Sequence, residues 1–245
     1  MYMDNKLKKV LEENYHLIDS QEFDELYDIT PVFYRADLTQ ILMDIDIDPL
    51  PFMSFIPSNM FANLDSIVSI KIPESIKAIQ PHAFLKCSNL ESVTFSEGLK
   101  AIQGGAFSTC ENLKDVILPS SLESLGNNSF GRCKGFTHIR IPGNVKRIPD
   151  SCFMVCPNVE DSILGEGVQV IGYGAFSMCF SLSTVVLPVS LRKINSGAFN
   201  SCRLKQIVYR GTSSEWRKIN VSAAAFDFSS KEDIRVRCID KTIGV

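Results

Sequence analysis

The sequence predicts an α/β repeat solenoid, in which coil after coil contributes one short strand and one compact apolar stretch, stacked so that the strands run parallel. Three observations predict it. Cys87, Cys110, Cys133, Cys156, Cys179 and Cys202 fall 23 residues apart. Phe61, Phe84, Phe107, Phe130, Phe153, Phe176 and Phe199 keep the same interval, as do Ile79, Ile102, Leu125, Ile148, Ile171 and Ile194. A unit of that length cannot bury its own apolar edge, whereas stacked copies bury each other's.

In chain order, residues 1–55 stand apart from the ruler. Leu7, Val10, Leu11 and Leu17 make an amphipathic helix. Asp19-Ser20-Gln21-Glu22 resembles a capping box that opens a second. Leu38, Ile41, Leu42 and Ile45 make a third. The expectation is a small helical cap over the first coil, hiding apolar surface and sheet backbone that a bare end would expose.

Residues 56–203 carry the repeats. Each begins with L-x-x-V-x-I-P, as in Leu113-Lys114-Asp115-Val116-Ile117-Leu118-Pro119. Anchors such as Val116 and Leu118 alternate with period two, which predicts a strand with one face inward. Pro73, Pro119, Pro142 and Pro188 end four of these strands. The second part, I-x-x-x-A-F-x-x-C, has apolar spacings of three and four, which predict one or two helical turns against the strands. Asn89, Asn112 and Asn158 are expected to satisfy backbone groups before the next strand. Ser96 and Gly165 replace the usual proline, predicting looser strand ends, and Ser162 replaces an inward Val or Ile, predicting a local defect or register adjustment. Residues 204–245 form an atypical last repeat and cap: Ala225-Phe226 arrives 27 residues after Phe199, with the insertion around Trp216, and Ile234–Ile239 reads as a terminal strand.

Composition excludes several functions. The 245 residues hold 25 Lys+Arg against 28 Asp+Glu, a net charge of −3 with no basic block, which argues against nucleic acid as partner. Lys6, Lys8 and Lys9 precede no apolar core of a signal peptide, and no apolar run approaches the length of a membrane span. A cytoplasmic or virion-associated location is expected, with surface display by another route left open.

The candidate chemistry is sparse. The ruler cysteines lack the paired spacing of a metal site, and Cys152 fills a small-residue slot held elsewhere by Ala, so a buried row of free thiols is expected. His16, His82 and His138 are scattered over different elements, with no nucleophile–base pairing in view. Asp44, Asp46 and Asp48 lack the Gly and Glu of a calcium loop, Pro49 and Phe55 standing at those positions. No cofactor or catalytic residue is expected.

The unit L-x-x-V-x-I-P-x-x-[LV]-x-x-I-x-x-x-A-F-x-x-C resembles the BspA-like class of leucine-rich repeat over about Ile56 to Ile239. The segment Tyr209 to Ile219, with Gly211, Thr212, Trp216 and Ile219, is similar to one that often closes such arrays. The lead-in and Ile56-Pro57-Ser58-Asn59-Met60-Phe61 resemble phage-type members. The resemblance implies a right-handed curved coil with a parallel concave sheet and no catalysis in the repeat.

On that face the register predicts one outward row of Lys71, Thr94, Ile117, Arg140, Ile163 and Val186, extended by Val208, and a parallel row of Ser69, Ser92, Asp115, His138, Asp161 and Thr184. The candidate ligand-binding residues are Lys71, Thr94, Ile117, His138, Arg140, Ile163 and Val186. A line of exposed aliphatics reads as a contact surface or, alternatively, as plain strand propensity. Phe180 is a second exposed apolar candidate. Two functions follow: a non-enzymatic scaffold binding a protein or glycan through the strand face, or a structural component of a phage particle or surface layer contacting neighbours through its caps. No membrane insertion is expected, and the oligomeric state stays open.

Overall fold

The computed structural model describes residues 54–226 and 234–245, all within one compact unit, Ile45–Val245. The helical cap expected over residues 1–55 lies outside the described residues except at its end, where Phe55 already belongs to the first strand.

Two parallel strand walls run along the solenoid. One is made of two-residue strands: β1 (Phe55–Ile56), β3 (Ala78–Ile79), β5 (Ala101–Ile102), β6 (Ser124–Leu125), β8 (Arg147–Ile148), β10 (Val170–Ile171), β12 (Lys193–Ile194) and β14 (Asn220–Val221). The other is made of four-residue strands: β2 (Ser69–Ile72), β4 (Ser92–Phe95), β7 (His138–Ile141), β9 (Asp161–Leu164), β11 (Thr184–Leu187) and β13 (Gln206–Tyr209). It continues into β15 (Arg235–Arg237), and antiparallel β16 (Thr242–Gly244) covers the edge of β15. Pairing steps by 23 residues, as in Ser69 with Ser92 and His138 with Asp161. Within each long strand the period-two pattern holds: Ile139 and Ile141 are buried while His138 and Arg140 face out.

The I-x-x-x-A-F-x-x-C stretch is not helical, which corrects the sequence expectation. It is a string of tight turns containing two left-handed residues four apart: His82 and Lys86 in one coil, Gly105 and Thr109 in the next, then Asn128 and Arg132. These positions divide the peptide N–H groups. His82, Phe84 and Lys86 donate to Gly104, Ala106 and Ser108 of the next coil at 3.0, 2.7 and 2.9 Å. Ala83, Leu85 and Cys87 donate three residues back, to Gln80, His82 and Phe84. An α-helix would spend every N–H inside its own coil and leave none to tie coil to coil. The apolar spacing of three and four was real, but it comes from consecutive turns.

Behind the turns the ruler residues form two columns. The phenylalanine rings stack face to face from Phe61 to Phe226, with centroids 4.9–5.6 Å apart. The late Phe226 therefore joins the column despite the insertion. Each ruler thiol donates to a phenylalanine carbonyl of the preceding coil, as in Cys87 to Phe61 at 3.0 Å and Cys179 to Phe153 at 3.2 Å. The insertion forms α1 (Ser213–Trp216), whose Thr212 and Glu215 make a reciprocal capping box, with Trp216 buried edge-on against Tyr209.

The substituted strand positions behave differently from expectation. Ser96 and Gly165 tighten their strand ends, because each has an N–H that proline lacks, and these donate to Ile72 and Ile141 at 3.0 and 2.8 Å. Ser162 causes no slip, since it pairs in register with Ile139 and Val185. Its buried hydroxyl has no hydrogen-bond partner among the described residues.

Both walls break at one junction. Asp115–Leu118, the stretch that reads as the model strand, is not a strand, and the long-strand wall divides into β2–β4 and the sheet that begins at β7. The Asp115 carboxylate is the physical reason. It accepts the amides of Thr137 (2.7 Å) and His138 (2.9 Å) and the Thr137 hydroxyl (2.6 Å), taking donors that otherwise bond to backbone. The short-strand wall parts between β6 and β8. There Pro149 occupies the register whose N–H, in Gly126 and Gly172, donates to the preceding coil. Asn127 compensates by accepting the Asp150 amide at 3.2 Å. The turn layer, the ring stack and the thiol column cross this junction unbroken.

Ser162→Val is expected to stabilise the fold by about 1–2 kcal/mol in urea unfolding, by removing an unpaired buried hydroxyl and adding apolar volume. A loss would mean that the site cannot hold the second methyl. Partial burial would raise the Asp115 carboxyl, but the His138 and Thr137 bonds outweigh it and hold the group below its ordinary value. That stabilisation is present above the unfolded value of about 3.9 and is lost as pH falls through the lower folded value. Asp115→Ala is thus expected to cost about 1 kcal/mol at pH 7, allowing for solvent screening, and progressively less below pH 4. An equal cost at pH 7 and pH 3 would contradict the carboxylate's role.

Candidate functional site

Strand alternation carries most of the predicted site to one surface. Lys71 on β2, Thr94 on β4, Arg140 on β7, Ile163 on β9, Val186 on β11, Val208 on β13 and Arg237 on β15 share one row. From Arg140 onward the row is continuous through paired registers. Ile163, Val186 and Val208 are half-buried because each is flanked by its neighbours, and the row ends in exposed arginines at both sides. Ile117 does not join it. It sits in the non-strand segment, 88% exposed, so the predicted stripe is broken there. Arg237 was missed because the insertion and the jump to residue 235 take it off the 23-residue ruler.

The second row holds a polar cluster. Asp161 bridges the imidazole and the guanidinium of the preceding strand, with His138 Nδ1 at 2.8 Å from its Oδ2 and Arg140 donating to its Oδ1. Asp115 holds the His138 backbone from the other side. Asp161 thus fixes the imidazole and the guanidinium in one orientation, leaving half-exposed edges for a ligand. This arrangement can recognise by directed hydrogen bonds. Among the described residues no serine, threonine or cysteine side chain bonds to the His138 ring, so it does not form a nucleophile–base pair.

The other chemical candidates resolve into packing. All eight cysteines are free and buried. Burial pushes the Cys133 and Cys156 thiols well above their ordinary range and Cys152 up to about 12, the last offset in part by its bond with Ser129. Gly105 occupies a left-handed position at which a Cβ would collide with the His82 ring of the neighbouring coil, which makes Gly104-Gly105 a stacking device. Asp44, Asp46, Asp48 and His16 lie outside the described residues. Among those described, no three His, Cys, Asp or Glu side chains converge as metal ligands, and no helix is long and apolar enough to cross a membrane.

Comparison with known proteins agrees with this geometry. The model of the BspA type leucine rich repeat region matches residues 54–165 and 146–236, with six copies. A leucine-rich repeat protein from Bacteroides ovatus has a TM-score of 0.55 and 23% identity, over 76% of this chain and 55% of that one. The chain thus spans little more than half of that relative. The T. pallidum leucine rich repeat protein has a TM-score of 0.56 and 25% identity, over 67% of this chain and 74% of that one. No curated protein matches in sequence.

A thiol reagent at neutral pH is expected to leave the folded protein unlabelled and to label eight cysteines after unfolding. Fast labelling of the native protein would contradict the buried thiol column.

Proposed function

Because the chain belongs to the BspA-type leucine-rich repeat family, we propose that it is a non-enzymatic interaction scaffold that grips a protein partner through its strand face. One observation carries the reading: Ile163, Val186 and Val208 stand side by side on three paired strands, between Arg140 and Arg237. A flat aliphatic strip with a cationic rim has the composition of a small interface, apolar at its centre and polar at its edge. The His138–Asp161–Arg140 cluster adds direction at one end, since its donors are already oriented and lose little freedom on binding.

The rival reading, a structural part contacting neighbours through its caps, loses one of its supports. Trp216 is buried against Tyr209 and offers no contact surface.

A photo-crosslinking residue introduced at Val186 is expected to capture a partner from an extract of the source cells, while one at Lys146 should not. Arg140→Glu with Val186→Asp should abolish that capture without changing the thermal midpoint by more than a few degrees. Equal capture from both positions, or capture that survives the double substitution, would sink the strand-face reading.

A further inference from the structure

A second break in the repeat pattern lies on the turn layer, away from the strand face. Two registers run along that layer: the left-handed residue before each ruler cysteine and the residue after it. They hold Lys86 and Ser88, Thr109 and Glu111, Arg132 and Lys134, Val155 and Pro157, Met178 and Phe180, Ser201 and Arg203. Four of these coils are polar or charged, and two adjacent ones are apolar. Backbone bonds stack those two directly, Val155 donating to Ser177 at 2.8 Å and Ser181 to Pro157 at 3.1 Å. Met178 and Phe180 are 44% and 47% exposed. The four side chains therefore make one apolar window two coils wide.

Two further observations bear on this window. Val155 is left-handed at φ 62°, a conformation that a β-branched side chain resists. Asn, Lys, Arg and Ser fill the same register elsewhere, and Thr109 is its only other β-branched member. Such strain clusters where a surface has a use. The window is also bracketed by cations, Arg132 and Lys134 one coil before it and Arg203 one coil after. Lys134 is tied to Glu111 at 2.8 Å, whereas Arg132 and Arg203 are exposed and form no ion pair among the described residues.

We propose that this window is a docking surface for a protein segment with an aliphatic or aromatic anchor flanked by Asp or Glu. Charge complementarity selects that occupant. The anchor covers Met178 and Phe180 while a carboxylate reaches an arginine on either side. From Arg132 to Arg203 is three coil steps, roughly 15 Å, so an extended segment places its two acids about four or five residues apart. The surface belongs to a different layer from the strand face and stands independently of it.

The test is selection of a random dodecapeptide phage library on the full chain, with the Met178→Ser, Phe180→Ser protein as counter-target. Both positions are exposed, and unchanged circular dichroism checks folding. Enriched peptides are expected to show the acid–apolar–acid pattern and to bind the counter-target about tenfold more weakly. Arg132→Glu with Arg203→Glu should weaken them about as much and remove the acid preference. Val155→Asn, which relieves the strained valine, should weaken binding while raising Tm by about 3 °C. The proposal is overturned if nothing is enriched, if the peptides lack acids or bind the counter-target equally, or if Val155→Asn leaves binding unchanged. It is also overturned if the Met178 and Phe180 substitutions instead abolish co-sedimentation with phosphatidylserine vesicles or self-association by sedimentation velocity. Those results would assign the window to a membrane or to a second copy.

Discussion

The fold depends on how the turn layer divides its peptide N–H groups. Alternate donors go back three residues, and the ones between them cross to the next coil. That division needs two left-handed residues per coil, and it fixes how far one coil sits above another. Once it is set, the phenylalanine rings have no choice but to stack, and each ruler thiol comes within reach of a phenylalanine carbonyl. Cysteine suits that place because it is small, apolar and still a weak donor. Serine would bring a stronger polar group into a dry column, and alanine would leave the carbonyl without this contact.

The two strand walls are tied to this layer but do not set it. Where they fail together, at Asp115 and Pro149, the turn bonds and the ring stack carry the solenoid across. Side chains replace some of the lost ladder. Asp115 and Asn127 accept amides of the following coil, and Asn144 donates to the Ser120 carbonyl at 2.7 Å. The exchange swaps a repetitive backbone ladder for contacts that titrate or depend on one residue each. It also removes Ile117 from the sheet, so the strand face is two surfaces of unequal size.

Much of this was legible because the repeat repeats. Thirteen Phe and Cys positions on one ruler identify buried columns, and period two assigns each strand residue to a face. What was illegible was local. Three-and-four spacing is shared by helices and by chains of tight turns, and only backbone conformation separates them. The Asp115 interruption could not be read from the apolar pattern, since Val116 and Leu118 keep it intact. Pro149 was readable in principle: aligned with Gln103, Gly126 and Gly172, it lacks the N–H that they have. The outward strand row followed the same rule: Ile163 and Val186 lie on the ruler and could be placed on it, while Arg237 beyond the insertion could not.

A strict repeat also says where function can lie. The columns and the left-handed turns tolerate little variation, so any partner has to be read from registers that the stacking leaves free. Those registers are not used evenly. Before the broken junction the outward strand row is Lys71 and Thr94, with Ser69 and Ser92 beside them. After it come Arg140, Ile163, Val186, Val208 and Arg237. The turn-layer window of Val155, Met178 and Phe180 falls in the same later coils. The earlier polar side chains are already solvated by water, whereas aliphatics bordered by arginine combine desolvation with oriented, charge-assisted donors. The coils from β7 onward therefore carry the apolar part of the outward strand row and of the turn-layer registers, while β2 and β4 present polar side chains in the same strand row.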